Sequence, residues 1–283
     1  MMITSEVHQS DVPSGDLRVS RFLFVPPEDW SLCRSSRRAG PGNTRLAITL
    51  RHSSRTPLDG VGEQLWNSSF LLCDFLLHMR AVFGDFTLFE LGGGVGLVAV
   101  IAFLVSEKEV FCTDHQDSVL RLAKENLERN AHLCTTLNKA ASPIHFRIFD
   151  WMQPEHPRNG RPSSTAWKSE DTEALSGPCL FLAADVIYDD ELTESLFEAL
   201  KSVVRVDERV YLALEKRYNF TIADLRLVAN GYDAFLSHFR SDDDYSDGKL
   251  FIGRKISLDF PQRFISYERT HDMELWELTR VAL

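Results

Sequence analysis

The sequence has little cysteine, no long apolar run and no surplus of positive charge, and each shortfall removes a class of protein. Its 283 residues include five cysteines, Cys33, Cys73, Cys112, Cys134 and Cys179. They show neither paired metal-ligand spacing nor the dense even pattern of a disulfide-framed secreted domain. Free thiols in a reducing compartment, nucleus and/or cytoplasm, are expected. The nine histidines show no close ligand pairing, so no metal is expected. Nothing approaches the roughly 20 unbroken apolar residues that span a bilayer, and no N-terminal stretch resembles a signal peptide. Lys plus Arg number 31 against 41 Asp plus Glu, a net charge of −10. That balance disfavours direct nucleic-acid binding, which rests on clustered cations, and suits a soluble protein that attracts a basic partner segment.

What is present is enough for one sizeable core, since 44% of the residues are apolar. Residues 1–45 read as a largely irregular N-terminal arm and 46–283 as one domain, monomeric by expectation. Within the arm, residues 17–25 alternate enough for a strand, and 46–50 form a second strand candidate. Arg34, Arg37 and Arg38 suit either a nuclear address or a solvated loop. An amphipathic helix is expected over 61–82, carrying Trp66. Strands follow at 86–91, 110–113, 144–149, 179–184 and 210–214, with helices at 97–105, after Asp117 as a cap, and through Leu192, Leu196, Leu200 and Val203.

Residues 152–178, polar and rich in proline, read as a surface insertion. Thr221 with Asp224 resembles a helix start and Gly231 a stop. Late strands at 249–252, 263–267 and 274–278 would close the sheet antiparallel. The alternation of strand and helix predicts an α/β, doubly wound, Rossmann-like sheet of seven mostly parallel strands with helices on both faces. Its ligand crevice should lie at the carboxyl ends of the strands.

Those ends carry the chemistry. Glu90-Leu91-Gly92-Gly93-Gly94-Val95-Gly96 joins the first core strand to a helix, where glycines let a ligand approach main-chain N–H groups. The spacing departs from the dinucleotide fingerprint, which disfavours a pyrophosphate. Asp114, 18 residues beyond Gly96, suits both hydroxyls of a ribose, although alone it is also an ordinary strand-end carboxylate. Asp150-Trp151 ends the third strand, where a carboxylate can accept from an adenine amino group and an indole can cover the base. Trp66 either closes the pocket or fills the core. Asp185 ends the fourth strand. Asp242-Asp243-Asp244 is a solvated run or a lure for a basic substrate.

In combination these motifs resemble the seven-strand S-adenosylmethionine-dependent methyltransferases. More closely, they resemble the family-16-like protein lysine methyltransferases, which pair a Trp helix, a Glu-x-Gly-x-Gly strand end, an Asp-Trp pair and an Asp-x-x-Tyr motif, here Asp185-Val186-Ile187-Tyr188. The resemblance covers roughly residues 50–280 and implies S-adenosyl-L-methionine as cofactor, with contacts from Trp66, Gly92, Gly93, Gly94, Gly96, Asp114, Trp151 and Ala184. It implies support of the pocket by Glu90 and Asp150, with Asp185 and Tyr188 as catalytic residues. The implied partner is a non-histone protein presenting a lysine side chain. Two rivals stand beside it: a methyltransferase acting on nucleic acid or a small molecule, and a non-catalytic interaction protein retaining the fold. The absence of an Asn/Asp-Pro-Pro-aromatic motif at the fourth strand weighs against the first.

Overall fold

The computed structural model describes residues 2–4, 7, 17–30, 44–153, 167–221, 226–229, 231–242 and 248–282. Cys33, the Arg34–Arg38 cluster and most of the Asp242–Asp244 run lie outside them. β1 (Arg18–Phe24) and β2 (Leu46–His52) form an antiparallel pair, so both expected strands form, the second running two residues further. The central strands are β3 (Thr87–Leu91), β4 (Val110–Asp114), β5 (Ile144–Ile148), β6 (Cys179–Ala184), β7 (Arg209–Glu215), β8 (Phe251–Ile256) and β9 (Met273–Arg280). They lie in the order β8-β9-β7-β6-β3-β4-β5. Strands β3 to β7 pair in parallel, while β9 runs antiparallel to both neighbours. The chain steps outward from β3 through β4 to β5, then returns to the other side of β3 as β6. That reversal opens a crevice between β3 and β6, outside their carboxyl ends.

Both faces of the sheet are covered, which explains why its strands read as continuous apolar runs. Leu88 of β3 faces a core shared with α1 (Asn67–His78), α2 (Leu97–Val105) and α3 (Asp117–Asn130). Phe89 and Leu91 face the opposite core, which contains Leu196, Phe197 and Leu200 of α4 (Asp190–Val203). Every residue of α2 is buried, so no polar stripe was available to mark it.

Polar side chains fasten two further segments to this frame. Asn126 of α3 donates to Arg51 O at 2.8 Å and Val95 O at 2.9 Å, and accepts from Arg51 N at 2.7 Å. One turn later, Asn130 donates to Thr49 O and accepts from Thr49 N, both at 2.8 Å. The two amides thus take the place of a neighbouring strand along β2. On α1, the wholly buried Asp74 accepts from Arg263 N at 2.9 Å, Phe264 N at 3.0 Å, Tyr267 Oη at 2.6 Å and Arg269 Nη2 at 3.0 Å.

Several expectations are corrected. The helix expected from Val61 begins at Asn67; a 3-10 turn spans Leu58–Glu63, and Trp66 is an extended residue just ahead of the helix. Gly60 and Gly62 favour that break, which carries the chain past Asp114. Gln116, not Asp117, takes the N-cap position of α3. The helix expected from Thr221 is replaced, in the described residues, by an antiparallel pair of Tyr218–Thr221 with Arg226–Ala229. Gly231 precedes rather than ends a helix, Tyr232–Ser237, with its N–H held by Asp190 Oδ1 at 2.6 Å. Residues 263–267 form no strand of the central sheet: Asp74 takes the N–H groups of Arg263 and Phe264, and a single antiparallel bridge joins Phe264 to Phe24 of β1. The far end of the 152–178 stretch is no surface insertion: Trp167 is buried, its ring stacked 6.0 Å from Phe89, and Asp171 pairs with Arg147 at 2.6 Å.

Candidate active site

The carboxyl ends of β3, β4, β5 and β6 bring the glycine loop, Asp114, Asp150-Trp151 and Asp185 to one crevice. In the loop, Gly93 N–H donates to Thr113 O at 2.7 Å, tying its start to β4. Gly92 and Gly94 take φ of 66° and 51°, the left-handed region that glycine occupies without penalty. A Cβ on Gly92 would stand 3.0 Å from Val186 Cγ1 and 3.4 Å from Trp151 Cη2; one on Gly94 would stand 3.2 Å from Gly62 O. Gly93 serves close packing, since a Cβ would meet Cys112 Sγ at 2.4 Å; Gly96 serves both needs, with φ of 83° and a Cβ position 2.9 Å from Ala123 Cβ.

Asp114 presents a largely buried carboxylate beside this loop. Oδ2 accepts from Gly94 N–H and Oδ1 from Gln116 N–H, each at 3.2 Å, while His115 Nδ1 lies 3.1 Å from Oδ1 and its pKa is raised by that hydrogen bond. Asp150 is half-buried and accepts from Met152 N–H at 2.9 Å, bracing the turn that carries Trp151. The Trp151 Nε1–H is buried with no acceptor among the described residues.

Glu90 lies under the loop, 3% exposed, near Cys112 and the first turn of α2. Burial pushes its pKa up to about 8, with Asp114 adding to the rise, against hydrogen bonds from Cys112 and Ala99. The folded chain therefore keeps a proton on Glu90 that the unfolded chain loses near 4.5. Unfolding between those values releases a proton, so this group's contribution to stability is fullest below about 4.5, declines as pH rises and levels off above about 8. Glu90→Gln, which imitates the protonated acid, is expected to gain on the native chain steadily across that window in urea titrations. A difference between the two that stays constant with pH would show Glu90 to be ionised throughout.

On the β6 side, Ala184 is half-buried and leads into Asp185, whose φ of 58° is unusual for a side chain bearing Cβ. Its N–H donates to Ala213 O at 2.8 Å, which fixes the turn, and its side chain is 1% exposed. Oδ2 accepts from Arg217 Nη2 at 2.5 Å. The guanidinium carbon of Arg217 sits 4.6 Å above the Trp66 ring, and Trp66 is itself held by its Nε1–H on Val61 O at 3.2 Å. Tyr188 is half-buried; burial pushes its hydroxyl up to about 12, and the negative charges of Asp114, Asp189 and Asp185 add to this while Arg217 opposes it.

Arg217 thus joins Asp185 to Trp66, Gly62 sets the Trp66 segment against Gly94 and Asp114, and Tyr188 feels the charges of both Asp114 and Asp185. Sequence reasoning missed Arg217 and Gly62. The signal for Arg217 was a charged Glu215-Lys216-Arg217 step at the end of a buried strand. A groove of about 470 Å³ lined by Phe75, Met79, Phe260 and Lys255 contains none of these residues.

The chain is similar to known proteins over most of its length. Methyltransferase-like protein 22 of Homo sapiens is 30% identical over 272 residues, covering 94% of this chain and 65% of its own length. Its namesake in Mus musculus is 32% identical over 236 residues, covering 82% of this chain and 58% of its own. The protein-lysine N-methyltransferase rrg1 of Schizosaccharomyces pombe is 28% identical over 168 residues, 57% of this chain and 50% of its own. The chain therefore spans less than two-thirds of the length of each of these relatives. The sequence profile described as lysine methyltransferase matches residues 46–228, the stretch that holds the whole crevice, and the chain belongs to the lysine methyltransferase family.

Proposed function

We propose that this chain methylates a lysine side chain of a protein, using S-adenosyl-L-methionine. The observation that carries the reading is the placement of a buried carboxylate, Asp185, already holding a cation, at the carboxyl end of the strand next to the glycine loop. The residues present fit the cofactor: the tight left-handed turn that glycine permits at Gly92 and Gly94, the Asp114 carboxylate for ribose hydroxyls, and the Trp151 indole with an unused N–H. S-adenosylmethionine would supply a methyl group on a sulfonium, the N–C bond forming as the S–C bond breaks and its electron pair returns to sulfur.

The chain's own residues must present the amine. A lysine with pKa near about 10.4 arrives as an ammonium and must shed a proton before its lone pair can attack. Asp185 Oδ2 is placed to accept a hydrogen bond from that nitrogen and so to aim it. Tyr188, a phenol at neutral pH that its raised pKa moves further from ionising, acts as a hydrogen-bonding group and not as a base. The faces of Trp66 and Trp151 restrict water and favour cationic groups. That the acceptor protein is not a histone rests on the family resemblance alone.

The test is to incubate the chain with methyl-labelled S-adenosylmethionine and a cell extract, then identify the modified residue by mass spectrometry. Label on a protein lysine is expected. Label only in nucleic acid or small molecules would overturn the reading.

A further inference from the structure

The contact between Arg217 and Asp185 resembles the one that a substrate lysine would make. A lysine ammonium entering the crevice needs a carboxylate to meet its charge and an aromatic face to shelter its positive end. Here the carboxylate is 1% exposed, the face belongs to Trp66, and both are already engaged by one guanidinium, 2.5 Å from the first and 4.6 Å from the second. Resting on the function proposed above, we infer that Arg217 is a built-in stand-in for the substrate: it fills the lysine seat in the substrate-free protein, and an incoming lysine must displace it.

Three features suit Arg217 to this part. Asp185 is placed by its own backbone, through its left-handed turn and the bond to Ala213 O, so it does not need Arg217 to hold its position. Trp66 is likewise tied by its own Nε1–H to Val61 O. Arg217 itself stands two residues past the end of β7, with 31% of its side chain exposed, on a long stem that can swing outward. A buried carboxylate without a cation is costly, and a resident arginine removes that cost while the seat is idle. Fixed walls and a movable cation are what a displaceable plug requires. The seat selects for a cation carried on a narrow stem, and a neutral hydroxyl or amide cannot compete with the plug.

The consequence is an affinity penalty, because only the fraction of molecules with the seat open can bind. The test uses n-butylammonium, which copies the end of a lysine side chain, and follows the fluorescence of Trp66, with Trp66→Phe as the blank. Arg217→Ala is expected to bind butylammonium about tenfold more tightly than the native chain. Asp185→Asn in the same background should remove the binding. Arg217→Met, which keeps a stem against Trp66, serves as the second variant should Arg217→Ala misfold, and circular dichroism identifies that case. Equal or weaker binding by a folded variant would overturn the inference, as would a lysine-peptide KM that rises while kcat falls, since Arg217 would then assist the reaction. A chain that passes the butylammonium test yet methylates no lysine would keep the seat and sink the proposed function.

Discussion

Asp185→Ala is expected to lower methyl transfer to lysine on the order of a thousandfold, while S-adenosylmethionine affinity changes by no more than a few fold. The carboxylate is engaged by Arg217, whereas the groups suited to the cofactor are the glycine loop, Asp114 and Trp151. Removing it takes away the group that orients the amine, an effect typically worth ~10²- to 10⁴-fold. Asp185→Asn keeps the shape and the left-handed turn but discards the charge. It should fall nearly as far if charge is what matters, and much less if aim alone suffices. Single-turnover rates with labelled donor, set beside calorimetric cofactor binding, separate the two quantities. Equal loss of rate and of cofactor affinity would remove Asp185 from substrate handling.

The second large effect concerns stability. Asp74→Ala should destabilise the fold by about 3–5 kcal/mol, because it removes the buried carboxylate that pairs with Arg269 and leaves two main-chain N–H groups and a tyrosine hydroxyl without their acceptor. For a chain of this size that corresponds to a fall in melting temperature of roughly 10 °C. Asp74→Asn retains an oxygen for the main-chain donors and should lose about half as much. Loss of less than about 1 kcal/mol in Asp74→Ala, read from urea unfolding, would show that the 257–272 loop is held by its aromatic contacts instead. Those contacts are substantial, with Phe70 stacked 5.5 Å from Tyr267 and Phe24 5.3 Å from Phe264.

The parallel strands were legible in the chain because burial on both faces leaves short, unbroken apolar runs; the range expected at 179–184 is the range observed. The ends of those runs were legible too, since a polar residue there interrupts an apolar pattern, which is how Asp114, Asp150 and Asp185 declared themselves. What escaped notice depends on partners far along the chain. Asp74 looks like one more polar position on α1 until residues 263–269 fold over it. Trp167 looks like part of a polar insertion until Phe89 and Phe111 lie beneath its ring. Thr221 and Asp224 carried a local helix signal that lost to the pairing of Tyr218–Thr221 with Arg226–Ala229. Arg217 escaped because no periodicity marks a side chain that reaches back to Trp66 and Asp185, respectively 151 and 32 positions earlier.

The amides of Asn126 and Asn130 carry a final consequence, for which substitutions this joint admits. Each side chain must offer a donor and an acceptor at once, at the reach of a single methylene. Aspartate has the same outline, yet at position 126 it would turn an oxygen toward Arg51 O and Val95 O, at the 2.8 Å and 2.9 Å now spanned by donated protons. Glutamine is one carbon too long for the gap. Even spontaneous deamidation, which changes one atom and almost no volume, would thus turn the grip of α3 on β2 into repulsion: at these two positions the alphabet has narrowed to a single letter.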